Sequence, residues 1–192
     1  QLRGLGVDTL DSLGVLTANQ VDGYTTTQIA LLSTTALLSL NSTAIGSLKT
    51  NQIVALSTAQ VSALNTSFLS ALTPTQIGAL ESRDVAFLSS TNIEALSSIQ
   101  LRALKIEQLD GLTTAQMLSL TNASISQLTE KQWNGLSGAQ INALSVGTLG
   151  ALTTVQIASL LPNQIVNLNS VALSNIGSTN VAALTTSQVA SL

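Results

Sequence analysis

An eight-residue period runs through this chain from about residue 9 to residue 192, and it limits the fold more than any other feature. In one frame the octads read TTTQIALL (from Thr25), STAQVSAL (from Ser57), TPTQIGAL (from Thr73), TTAQMLSL (from Thr113), TTVQIASL (from Thr153) and TTSQVASL (from Thr185). The 192 residues make 24 octads. Position 5 is apolar in all 24, from Leu5 and Leu13 to Val189. Position 8 is Leu from Leu16 to Leu192, with Tyr24 and Ile176 as substitutes, and only Asp8 breaks that row. Position 1 is Ser, Thr or Asn in 18 octads and position 4 is Gln in 13, which makes both positions part of the code.

Ser or Thr followed three residues later by Gln is a capping box. The hydroxyl accepts the free N–H of the third helical residue, and the Gln side chain reaches back to the N–H of the cap. The Leu before the cap and the Ile or Val at position 5 form the hydrophobic staple pair that accompanies such a start. Pro74 and Pro162 both fall at the first helical position, where a missing N–H costs nothing. Each octad therefore carries a complete helix start.

One continuous helix is excluded, because at ~100° per residue an octad step rotates the apolar stripe by about 80° per repeat. Strands fit poorly. Apolar spacings of three and five are both odd and throw successive apolar residues onto opposite faces. A strand buried on both faces, as in a β-solenoid, is the alternative. The favoured expectation is an all-α solenoid of very short capped helices. Each is too short to stand alone and must pack on its neighbours. Small residues at position 7, such as Ala55, Ala63, Ala71, Ala79, Ser119, Gly135, Ala143 and Ala183, would let helices approach closely. The chain reads as a single repeat domain over 1–192. Residues 1–16 form an irregular first unit that reads as a cap or junction. Octads 40 residues apart look alike (Thr73, Thr113 and Thr153; Ser57, Ser97 and Ser137), so five octads read as a unit of duplication.

Composition narrows the function. With no His and no Cys, the chain lacks the commonest general base, the usual metal ligands, disulfides and thiol chemistry. Asp8 and Asp11 could approach a hard cation, but no EF-hand loop or calcium nonapeptide surrounds them, so they read as solvated acids. Ser and Thr abound without G-x-S-x-G or a base, and read as caps. No enzyme and no cofactor are expected. Six Lys and Arg cannot make a phosphate footprint, so no nucleic acid is expected either. No apolar run approaches the ~18 residues of a membrane helix, and no insertion is expected. The chain begins at Gln1 without Met or a signal peptide, which reads as a processed product or a fragment.

Leu72-Thr73-Pro74-Thr75-Gln76-Ile77 resembles the start of a TAL-effector repeat, over one helix start only. The glycine-bearing base-reading loop and the second helix are absent and the period is shorter than that family's, so the likeness is shared capping chemistry. The octad array as a whole resembles the L-[ST]-T-x-Q-[IV]-x-x-L arrays of large bacterial surface or secreted proteins described as adhesin-like. That resemblance implies an extracellular, cell-surface location and a structural or adhesive role.

Charge is concentrated at Glu81, Arg83, Asp84, Glu94, Arg102, Lys105, Glu107 and Asp110, which read as a solvated ladder or as a partner patch. Glu94, Arg102 and Asp110 share octad position 6 and would form an acid–base–acid row if adjacent octads stacked. Trp133 stands at position 5 and is expected in the core. Leu2, Leu5, Val7 and Leu10 at one end and Val189 and Leu192 at the other are core-type residues with nothing to cover them. Head-to-tail self-association, or continuation into further sequence, is therefore expected. The function anticipated is a spacer, stalk or self-assembling filament subunit. Alternatives are an adhesin-type module for a protein or glycan, and an ice-binding surface built from the recurring Thr and Ser.

Overall fold

The computed structural model describes residues 16–192, which form twenty-two α-helices of four to six residues, from α1 (Ala18–Asp22) to α22 (Thr186–Val189). No strand occurs among the described residues, which overturns the β-solenoid alternative. Leu2, Leu5, Val7, Leu10, Asp8, Asp11 and nearly all of the irregular first unit lie outside the described residues.

Each helix starts at octad position 2. At sixteen of the twenty-two starts, the position-1 side chain accepts the N–H of the third helical residue. Where position 1 is Lys49, Lys105 or Leu161, no acceptor exists and only the glutamine half of the box forms. The cap N–H then donates to Oε1 of Gln52, Gln108 or Gln164 at 2.7, 2.7 and 2.8 Å. Gly177 occupies a cap position at φ +82°, where a side chain would be strained. The helix ends equally regularly. The position-8 N–H donates to the position-5 carbonyl, as in Leu32 to Ile29 at 3.2 Å and Leu104 to Leu101 at 3.2 Å. Position 8 then turns extended, with Leu64 at φ −57°, ψ 139°, and carries the chain into the next cap.

These pieces wind into a coil. Helices pack against the third helix on: α1 against α4 (Ser42–Ser47), α8 (Pro74–Ile77) against α11 (Ser98–Ala103), and α10 (Ser90–Glu94) against α13 (Thr114–Ser119). Contact with the fourth helix on also occurs, between α16 (Gly138–Asn142) and α20 (Ser170–Asn175). Side-chain hydrogen bonds between turns join residues 25, 28 and 31 apart. One turn is therefore about 28 residues, or three and a half octads. The 40-residue likeness is not a geometric turn. Residues at the same octad position do not stack on successive turns, because the next turn up is displaced by half an octad.

The core is a continuous column of positions 5 and 8. Val21, Ile29, Leu37, Val61, Ile77, Val85, Ile93, Met117 and Ile141 are fully buried, and most position-8 leucines nearly so, with Leu128 and Leu184 only partly buried. Burying one such side chain is worth about 1.5–3 kcal/mol. A six-residue helix cannot hold itself together, so that packing must come from neighbouring turns. Gly111, at position 7, shows how closely the turns approach: a Cβ there would lie 2.8 Å from the carbonyl of Ser82 on the adjacent turn.

Candidate functional site

The position-4 side chain does more than cap. At Gln52, Gln60, Gln76, Gln100, Gln108, Gln116, Gln132, Gln140, Gln164 and Gln188, Nε2 donates to two backbone carbonyls 31 and 28 residues earlier, at 2.6 to 3.4 Å. Those carbonyls belong to positions 5 and 8 of an earlier octad. The position-8 carbonyl would otherwise be left unpaired at the end of a short helix, in a buried place, while the position-5 carbonyl has only the position-8 N–H as a partner. In the example of Gln116, Oε1 accepts the N–H of Thr113 at 2.8 Å, while Nε2 reaches Val85 O at 2.9 Å and Leu88 O at 2.7 Å. One amide thus starts its own helix and closes the end of another, one turn away. Gln116 is only 2 % exposed, so these bonds lie out of water.

The capping half of this role is legible in the octad, because it is local. The clamp is not, since it depends on the coil bringing residues 28 and 31 apart together. The sequence signal that could have found it is Gln where Glu is equally good for a capping box. Glu has an acceptor for the cap N–H but no donor for the carbonyls.

Where position 4 is not Gln, the clamp shortens or fails. Asn92 and Asn180 reach only the nearer carbonyl, Leu64 O at 2.6 Å and Leu152 O at 2.7 Å. The hydroxyl of Thr148 reaches Leu120 O at 3.1 Å. Ser124 makes no bond across the turn, and beside it lies a cavity of about 380 Å³ lined by Glu94, Leu96, Leu101, Thr121 and Gln127. Trp133 lies in the core, 2 % exposed, and its indole N–H donates to Gln156 O at 2.8 Å. Gln156 is displaced there: it keeps one 3.4 Å bond to Ile125 O, and a cavity of about 260 Å³ opens between Leu128, Trp133 and Val155.

The charged residues divide. Glu81, Arg83, Lys105 and Glu107 share one open groove of about 500 Å³ with Val54, Ala79 and Leu80. Arg83 is paired with Glu81, and its Nε stands 3.9 Å from Oδ1 of Asp84, which is buried beneath. Burial raises the Asp84 pKa above its ordinary value. The Arg83 charge opposes that shift, the Glu81 charge adds to it, and a Thr58 hydrogen bond opposes it. Glu94 lies elsewhere, at the Ser124 cavity, and Arg102 Nε donates to Gln127 O at 3.0 Å. Asp110 is exposed and makes no ion pair. The acid–base–acid row does not form. Octads stack at about 28 residues, so Glu94, Arg102 and Asp110 follow one another around the coil instead of lying above one another. The Lys49–Asp22 pair, at 3.0 Å, is half exposed and contributes little.

Among the described residues, no three acidic side chains gather as metal ligands, and no helix is long and apolar enough to cross a membrane. Val181, Val189 and Leu192, core-type positions of the last turn, are 45, 55 and 63 % exposed.

Against known families, residues 37–66, 50–82 and 77–114 match the ALTTAQ repeat. Together these segments span 37–114, less than half of the chain. The name spells the order found at 55–60 (ALSTAQ) and 71–76 (ALTPTQ), and again outside the matched stretch at 151–156 (ALTTVQ) and 183–188 (ALTTSQ). The protein is thus a repeat protein of short helices, similar in its central part to the ALTTAQ repeat. Curated proteins gave no match.

Proposed function

We propose that this chain is an all-α solenoid with a structural, non-enzymatic role: an extracellular spacer, stalk or self-assembling filament subunit on a bacterial surface. The observation that carries the proposal is the clamp register. Each turn offers position-5 and position-8 carbonyls to the turn after it and donates its own amides to the turn before it. Such a surface is heterologous and open-ended, and it favours growth along one axis. The exposed Val181, Val189 and Leu192 are the apolar part of the same surface, and further octads, in the same protein or in a second copy, would bury them. Electron microscopy and light scattering of the purified chain test the reading. Rods or end-to-end particles are expected; compact monomers at high concentration would sink it.

The second reading is an adhesin-type module that holds a protein or glycan. The groove with Glu81, Arg83, Lys105 and Glu107 favours it, because both charge signs stand there beside the apolar Val54 and Leu80. Binding on a glycan or protein array that is lost in Arg83→Ala/Lys105→Ala, with stability unchanged, would favour this reading over a scaffold. The half-octad displacement between turns argues against ice binding. Hydroxyls at one octad position return to the same column only every second turn, which leaves no closely spaced flat array.

A further inference from the structure

Position 4 is a donor slot. Wherever it holds Gln, Asn or Thr and reaches across the turn, it gives a hydrogen to the carbonyl 28 residues earlier, except at Gln156 beside Trp133, which keeps only the carbonyl 31 earlier. Asp84 is the one ionisable residue in this slot among the described residues, and it is 3 % exposed. Counting back 28 residues gives Leu56, whose carbonyl receives no side-chain donor. The octad equivalent one step later is Asn92, the same shape as Asp, which donates to Leu64 O at 2.6 Å. A carboxylate in this slot sets negative oxygen against carbonyl oxygen and has no hydrogen to give. The neutral acid has one.

We propose that Asp84 is a proton-operated clasp between turns: as the neutral acid it donates its O–H to the carbonyl of Leu56, and as the carboxylate it leaves that joint unclosed. The proton comes from, and returns to, water. The groups facing Asp84 are few. On its own helix, α9 (Ser82–Val85), and at that helix's cap stand Arg83 and Glu81, which are paired with each other. From α12 (Ile106–Asp110), which packs on α9, Glu107 lines the groove above, together with Lys105 at the cap of α12. From α6 (Thr58–Ala63) no charged group faces it, only the Thr58 hydroxyl at 3.4 Å from Oδ1.

The sign follows from burial. Loss of hydration raises the folded-state pKa above the unfolded one. The stabilisation is complete below the unfolded aspartate value of about 3.9 and is lost as pH rises through the raised folded value. Acid closes the joint, and rising pH opens it. A hard cation at the Asp84 carboxylate would meet the Thr58 hydroxyl, and the Arg83 guanidinium 3.9 Å away opposes it.

The test uses the whole chain. Carboxyl carbon NMR should show Asp84 titrating above the other aspartates. Amide exchange at 56–58 and 85–88, corrected for its intrinsic pH dependence, should slow as Asp84 protonates. Asp84→Asn supplies the hydrogen permanently. It should raise the Tm at pH 7 by about 2–4 °C and abolish the acid-dependent gain. An Asp84 that titrates at or below the ordinary value, or an Asn variant that melts lower at pH 7, overturns the proposal. Calcium chloride at pH 7 is the discriminating arm. If it slows exchange at these residues as acid does, the site belongs to a cation and not to a proton.

Discussion

The turns around Gln100, Gln108 and Gln116 and the turn around Gln156 are built from the same octad, yet only the first group is fully clamped. At Gln116 one amide makes three good hydrogen bonds. At Gln156 the cap bond survives at 2.9 Å, but the reach across the turn shrinks to one bond of 3.4 Å. The difference begins with Trp133, which stands where other octads carry Ile, Leu, Val or Met and claims the backbone carbonyl of Gln156. Both regions nevertheless bury their position-5 residues, Met117 and Ile157, completely. Apolar packing therefore holds the coil together, and the amides fix its register and absorb carbonyls that would otherwise be buried alone.

That comparison can be broken most directly by making one change in both places. Gln116→Leu leaves the cap N–H of Thr113 and the carbonyl of Leu88 unpaired, and it leaves Val85 O with only the Leu88 N–H. It should destabilise the chain by roughly 3–5 kcal/mol, since each buried orphan costs about 1–3 kcal/mol. Gln156→Leu, with less to lose, should cost about 1 kcal/mol. Urea unfolding of the two variants measures the gap, and equal losses would mean that the clamp adds nothing beyond the cap. Next in size is Leu112→Ala, which removes a buried staple and core contact and should cost roughly 2–5 kcal/mol. Its neighbour Thr113→Ala removes the cap acceptor of Gln116 N–H, at 3.3 Å, and the hydroxyl's bond to Gln116 Oε1, at 3.1 Å, and should cost about 1 kcal/mol. Circular dichroism melts of this pair separate core from cap. The smallest effect sharpens the comparison from the other side. Ser124→Gln should fill the adjacent cavity, reach the carbonyls of Ile93 and Leu96, and stabilise by about 0.5–1 kcal/mol. An unchanged or lower urea midpoint would show that the missing amide is not what opened that space.

The helices and their boundaries were legible in the octad because capping is a matter of neighbours. Thr73 followed by Pro74 and Gln76 announces its helix without help from the rest of the chain. The staple pairs and the burial of Trp133 were legible for the same reason. What could not be read was the number of octads per turn, because nothing in Leu-Thr-Thr-x-Gln states how far each short helix tilts from the last. The clamp, the separation of Glu94 from Asp110, and the gathering of Glu81 and Arg83 with Lys105 and Glu107 all depend on that angle. In the sequence Asp84 is one charge among eight; only the winding shows that it occupies an amide's place.

Among the described residues, the joints between turns are side-chain amides and leucines, with no backbone ladder running along the axis. A force applied at the two ends of such a coil loads these joints in series, one turn after another. Each joint that yields releases about 28 residues, on the order of 90–100 Å of extended chain. The intact remainder keeps its own clamps, because no turn depends on any but its neighbours. If the coil serves as the proposed spacer, it lengthens turn by turn under tension, with its reach set by the number of octads and its resistance by the buried leucines and the glutamine clamps of each joint.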